Sequence, residues 1–591
     1  MRRMLLWALV LGVVAGASTA REAQAAPAKA AKAKDAVKAL QVEDEAEGVK
    51  PVLIVSFAGY DRAIKAVETV AKMADAPMPL AALVDTAVKA QTGGQGLVGL
   101  DTKRPWGFVV ETDGTDFTRV GFLPVTDLKK LLGVLEPTIG EAKDNGSGVF
   151  EISAQGQSLF ATQKGNWVFL SDEAEHLAGA PKNPMAVLGG LNESYDVSVR
   201  AVIKNIPPLM RQMVLMPLQM GMTMGAEQRP GESDEEFALR TKITKQAINQ
   251  ITTLVNDLDM LQVGLKVDDK ASTVYLEYQI VAVEGTKTAR QLSEAKETKS
   301  GFAGFYAPGA ALSLNLASKM AESDVAQAKT TLAALRANAM KELDKQDLPA
   351  ADLKQAKEMI GDLMDMLDKT LEGGRLDAGA AVMLDANRLT LAGGVHVADT
   401  AKLDGLVRKL VAQIPPEAAG IAEAIKLDAQ THEGVKFHTF SLPTAALPDP
   451  GPLPKLVGES LDVVLGIGPQ SLYVAAGREA AKTLSKMIDK SKAAGEEVVP
   501  PARLSLAATP IAKTVAALGN EKAKPVAAQF AKLLEKASGK DHITMTNSAI
   551  PNGTKVRIEV EQGLFKLITP ILTARMGAAG GGPGGFGPQP E

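Results

Sequence analysis

A run of elements that occurs twice constrains this chain more than any single residue does. In the first half, residues 106–115 read as a strand entering a turn, 117–123 as its return strand and 126–132 as a helix. In the second half, 380–387, 389–397 and 400–410 read as the same three elements. The matching extends in both directions: 51–57 answers to 310–316, 148–152 to 434–438, and 158–170 to 461–474 with its helix at 478–488. Further on, 195–201 answers to 503–508. The hairpin 261–280, turning at Asp268-Asp269, answers to 543–560, turning at Asn552-Gly553, a pair suited to the positive φ of a tight turn. Few residues are identical between the halves, so the resemblance lies in the order of elements.

Hairpins dominate and regular βαβ spacing is absent, which gives the fold class as α+β. The expected architecture is two diverged tandem repeats, 51–300 and 301–572, each a mainly antiparallel sheet covered by helices on one face. The repeats place their long helical hairpins differently. The first has a pair at 206–258, split near Pro230-Gly231, whose second helix opens on the capping box Ser233-Asp234-Glu235-Glu236. The second has its pair at 322–372, broken around Asp347-Leu348-Pro349. Both pairs are expected to protrude.

The 591 residues exceed the ~100–200 of one ordinary domain, so several modules are needed. A net charge of -4 provides no field to recruit nucleic acid. The absence of Cys removes thiol nucleophiles, disulfides, Cys-ligated zinc, iron–sulfur clusters and c-type haem. Aromatic residues, at 4%, leave few platforms for stacking bases or sugars.

The N-terminal pattern is that of an export signal. Arg2 and Arg3 precede an apolar run to about Ala17, and Ala23-Gln24-Ala25 or Ser18-Thr19-Ala20 offers the cleavage site. The run is shorter than the ~20 residues a bilayer span requires. Residues 1–25 are therefore expected to be a signal peptide, 26–50 an Ala/Lys-rich tether and 573–591 a Gly/Pro-rich disordered tail. The mature chain is expected to be soluble, periplasmic or extracellular, and free of transmembrane segments.

Pro105-Trp106-Gly107-Phe108-Val109-Val110, with residues 120–128 from Val120-Gly121-Phe122 to Thr126-Asp127-Leu128, resembles large secreted proteins of unknown function of planctomycete type. Residues 229–235, from Arg229-Pro230-Gly231 to Asp234-Glu235, resemble the same family. The likeness spans most of the folded part and implies export, but it implies no activity and supplies no catalytic residue.

No coherent chemical motif emerges. His432-Glu433 lacks the second His of a zincin motif, because position 436 is Lys436 and the segment reads as a strand. His176, His396, His438 and His542 are scattered. Gly94, Gly96 and Gly99 satisfy G-x-G-x-x-G but follow a helix, not a strand, so they read as a loop. Glu111, Asp113 and Asp116 read as turn residues, and Asp362, Asp365 and Asp368 as the solvated face of a helix. No catalytic, cofactor-binding or metal-binding residue is assigned, and no cofactor is expected.

The one unusual cluster is Met-rich. Met210, Met213, Met220 and Met224 fall within about 80° of a helical wheel, while Met216 and Met222 lie off it. Core packing is the expected role; the alternatives are an adaptable apolar interaction stripe and, more remotely, soft-metal capture. The function expected is an exported, non-enzymatic binding or scaffolding protein of the cell envelope, partnered by an envelope protein or an apolar ligand. Its alternatives are a carrier of an apolar ligand or lipid in a cavity between sheet and helices, and a hydrolase of unknown substrate.

Overall fold

The computed structural model describes residues 48–569, apart from 77–78, 147, 155–156, 225–226, 229, 347–348, 413, 415–418, 448–449 and 496. The expected signal peptide, nearly all of the tether, and the tail lie outside the described residues. The chain divides into two compact units between Thr288 and Ala289.

In the first unit, strand β1 (Lys50–Phe57) leads into helices α1 (Tyr60–Met73) and α2 (Leu80–Gln91). The hairpin β2 (Trp106–Thr112) and β3 (Phe117–Pro124) follows, then α3 (Leu128–Ile139). Four strands come next: β4 (Ala142–Asp144), β5 (Val149–Ala154), β6 (Gln157–Lys164) and β7 (Trp167–Ser171). After short helical turns at 174–194, β8 (Val197–Val202) leads to α4 (Pro208–Met224) and α5 (Asp234–Asp257). The unit closes with β9 (Leu258–Asp268) and β10 (Thr273–Ala282). Every pairing is antiparallel, and across the sheet the strands run 4-5-6-7-3-2-1-8-9-10.

The second unit opens with β11 (Leu312–Lys319), α6 (Glu322–Asp344), α7 (Ala350–Glu372), β12 (Arg375–Asp385), β13 (Arg388–His396) and α8 (Ala401–Ala412). It continues through β14 (Ile425–His432), β15 (Val435–Pro443), β16 (Ser460–Gly468), β17 (Ser471–Gly477) and α9 (Ala480–Ala493). It ends with β18 (Ala502–Ala507), α10 (Ala508–Leu518), α11 (Ala523–Glu535), β19 (His542–Ile550) and β20 (Gly553–Glu561). Its antiparallel order is 14-15-16-17-13-12-11-18-19-20, the first unit's order with ten added to each number.

Two expectations need correction, while the differing placement of the long helical pairs holds within a shared plan. Helices cover both faces of each sheet, not one. Phe122 and Phe169 pack under Leu177, Leu188, Leu191 and Tyr195, whereas their strand neighbours Leu123 and Val168 pack under α3 on the opposite face. In the second unit, Tyr473 and Val464 meet α9 while Leu472 and Leu465 meet α8. Next, each unit has a helical pair both after its first strand and after its eighth. The units differ in which pair is long, because α6–α7 outgrow α1–α2 whereas α4–α5 outgrow α10–α11. Finally, Ile550 pairs directly with Gly553, so the β19–β20 turn is centred on Pro551-Asn552, with Asn552 at φ 53°. Proline presets the first central position and Asn tolerates the left-handed second, which outweighs the Asn-Gly signal.

Local sequence explains much of this framework. In β1, period-2 alternation buries Val52, Ile54 and Ser56 on one face. Asp127 caps α3 by accepting the Lys130 N–H at 3.1 Å, and Ser233 with Glu236 forms the expected capping box on α5. Gly264 leaves room for the Tyr195 ring, since a Cβ there would lie 2.3 Å from Cδ1.

Tyr195 donates its hydroxyl proton to Glu277 and accepts from Gln279 Nε2 at 3.2 Å, with both Tyr195 and Glu277 only 4% exposed. Burial, then the Glu277 carboxylate, pushes the phenol up to about 12. A pKa raised on folding favours the folded state below the unfolded value near 10, and that stability is lost as pH rises through about 12. Wild-type stability in urea is expected to fall across this alkaline window, and Tyr195→Phe is expected to flatten the fall.

Candidate functional site

The Met-rich segment forms α4, and three of its methionines face solvent. Met213 is 39% exposed, Met216 60% and Met220 59%, whereas Leu215 is buried at 4%. The core-packing expectation therefore fails at Met213 and Met220. Met210 is half-buried, and the Met224 side chain lies outside the described residues. The stripe that faces solvent is Leu209, Met213, Met216 and Met220, at spacings of 4, 3 and 4 residues, within about 60° of the wheel. Helices α4 and α5 are joined by Gln219 Nε2 donating to Thr252 Oγ1 at 3.1 Å and Arg211 donating to the Asn256 carbonyl at 3.2 Å. Those bonds leave the stripe free. Met213→Glu is expected to shift the melting temperature by no more than about 2 °C, as for other exposed positions. Unfolding of this variant would restore the core reading.

A second surface was not legible in advance. On strands β8, β9 and β10 the sheet is inverted relative to the usual polar-out pattern. Ser198, Gln262 and Glu277 point to the buried face at 2%, 5% and 4% exposure. Their chain neighbours Val197, Val199, Val263, Leu265 and Leu276 face solvent at 36–45%. Register makes the five contiguous: Val199 lies opposite Val263, Val197 opposite Leu265, and Leu265 opposite Leu276. Half-buried Val55 and Phe57 of β1 extend the patch beside Val199 and Val197. The corresponding face of the second unit exposes Leu391 and Val395 of β13 and Val474 of β17. Buried polar groups beside exposed aliphatics are the informative departures from ordinary burial, and they make this patch a candidate interaction surface.

The remaining sequence motifs resolve into structural roles. His432 ends β14 and pairs with Asp489 at 2.6 Å. Gly94, Gly96 and Gly99 all adopt positive φ in the loop after α2, away from any strand-to-helix turn. Asp113 Oδ1 accepts the Thr115 and Asp116 N–H groups, which shapes the β2–β3 turn and lowers the pKa of its carboxyl. Asp362, Asp365 and Asp368 are ion-paired to Lys402, Arg336 and Lys329 at 2.9, 2.7 and 3.3 Å, tying α7 to α8 and α6.

Among the described residues, three ligand-type side chains that sequence spacing did not connect come together: Asp404, Asp428 and His438. A depression on α5, bordered by Phe237, Thr241 and Lys245, is open to solvent and does not lie between sheet and helices. It lends no weight to a lipid cavity. No helix among the described residues is long and apolar enough to cross a membrane. Compared with known protein families, curated proteins and solved structures, the chain has no match.

Proposed function

We propose that this chain is an exported, non-enzymatic binding protein that holds the hydrocarbon of an acyl lipid on the aliphatic patch of β8, β9 and β10. The observation that carries the reading is the inverted burial of neighbours such as Ser198 at 2% and Val199 at 38%. The chemistry of the patch favours hydrocarbon over protein. Protein interfaces concentrate Tyr, Trp and Arg at their centres, whereas the five exposed residues here are Val and Leu, with Phe57 and Tyr278 half-buried beside Val197 and Val263. Export rests on the leader pattern and on the resemblance to secreted proteins.

We also infer that the two units descend from one duplicated module. Shared strand order supports this, and so does register. The row Ser56–Gly107–Phe122–Phe169 of the first unit corresponds to Asn315–Gly379–Gly394–Tyr473 of the second. Gly107 and Gly379 each occupy a spot where a Cβ would come within 2.7 Å of a packed side chain. Ser56 and Asn315 are both buried polar residues on the first strand.

The exposed stripe of α4 favours a second reading, in which the α4–α5 hairpin docks an envelope protein. Native mass spectrometry of the intact chain, isolated without detergent, separates the two. A co-purifying acyl lipid is expected; a protein-only complex supports the hairpin reading instead.

A further inference from the structure

Asp404 of α8 meets Asp428 of β14 and His438 of β15 in the second unit, with ligand-type atoms all within 4.8 Å of one another. The β14–β15 register slips between Lys426 and Gln430, and Asp428 within that slip has φ 51°. This places Asp428 Oδ1 4.0 Å from His438 Nδ1, while α8 brings Asp404 Oδ1 to 3.3 Å from His438 Nε2. The imidazole is 4% exposed, and neither its Nε2 nor Asp404 Oδ1 has a hydrogen-bond partner. A buried imidazole nitrogen without a hydrogen bond is unfavourable, and Asp404 Oδ1 has only ion-pair contacts, among them Arg408 at 3.3 Å. The separation of Nε2 and Oδ1 matches the edge of a tetrahedron whose metal–ligand bonds are ~2.0–2.1 Å, which is about 3.3 Å.

We propose that Asp404, Asp428 and His438 bind one Zn²⁺ ion, each giving one ligand atom and leaving the fourth position to water. One nitrogen and two carboxylate oxygens form a donor set that zinc accepts. The ion pins α8 to the β14–β15 hairpin. Two cations compete with it: Arg408 ion-pairs with both Asp404 and Asp428, and Lys436 Nζ lies 3.5 Å from Asp404 Oδ2. The Asp428 N–H donates to His438 Nδ1 at 3.1 Å, which keeps the ring proton on Nε2. Ligation through Nε2 moves that proton to Nδ1 and turns the 427–428 peptide so that a carbonyl receives it, the arrangement metal-bound His prefers. The turn also takes Asp428 out of the left-handed region, where non-glycine residues are strained.

The test titrates the full-length, tag-free, metal-stripped chain with Co²⁺ and then Zn²⁺. One equivalent of four-coordinate Co²⁺, read by its visible absorption and displaced by Zn²⁺, is expected. Asp428→Asn is expected to weaken binding at least tenfold and Arg408→Gln, which removes a competitor, to tighten it at least threefold. Both side chains are about two-fifths exposed, so both variants are expected to melt like the wild type without metal. The proposal fails if no stoichiometric uptake occurs, if Asp428→Asn leaves uptake unchanged, or if Arg408→Gln weakens it.

Discussion

Gly264→Ala is expected to destabilise the first unit by about 3 kcal/mol, combining overpacking of ~1–3 kcal/mol with disruption of a charge-assisted hydrogen bond. The added methyl meets the Tyr195 ring at 2.3 Å from Cδ1, 2.4 Å from Cγ and 2.6 Å from Cε1. The ring has little room to retreat. Tyr195 is 4% exposed, packs with Leu188 and Leu191, and is held by Glu277 and Gln279 through its hydroxyl. Any displacement therefore breaks contacts at both ends of the side chain. Calorimetry is expected to show the first-unit transition lowered by roughly 6–12 °C, at ~2–4 °C per kcal/mol for a unit of this size. A shift under about 2 °C would mean that the polar face of β9 is not packed as described.

The second large effect concerns the opposite face of the same strand. Val199 and Val263 lie directly across from each other on β8 and β9, at 38% and 45% exposure. Replacing them together, as Val199→Glu with Val263→Lys, places opposite charges in a cross-strand pair, which contributes ~0.2–1 kcal/mol of its own. Folding is therefore expected to survive. Hydrocarbon binding is not, because two charges at the centre of the patch must lose water for an acyl chain to lie across them. The expected loss of lipid occupancy is at least tenfold. Gly264→Ala and the double variant thus alter neighbouring residues of β9 with opposite outcomes, the first affecting stability and the second affecting binding.

Much of the framework was legible in the sequence because strands and hairpins are local. Period-2 runs and turn residues located the β2–β3, β9–β10 and β19–β20 hairpins, although Asp268 pairs with Thr273, which puts the β9–β10 turn at 269–272, and Pro551 moved the last turn by one residue. The capping box at Ser233 located α5 for the same reason. Alternation has a limit, however. In the run Val197-Ser198-Val199-Arg200 it separates two faces without saying which is wet, and packing of Tyr195 over Gly264 turns the polar face inward. The Met stripe was half legible: the helix was right, but wheel geometry could not reveal that Leu215 points inward while Met216 joins the exposed row. Asp404, Asp428 and His438 were illegible because they sit on three elements at spacings of 24 and 10 residues, joined by a bulge that no local signal announces.

Native mass spectrometry of the detergent-free wild-type chain beside the Val199→Glu/Val263→Lys variant is the most direct measurement. Acyl lipid bound to the wild type and absent from an equally folded variant is the expected result. Equal lipid occupancy in both proteins, or none in either, would contradict the assignment of the β8–β10 patch as the binding surface.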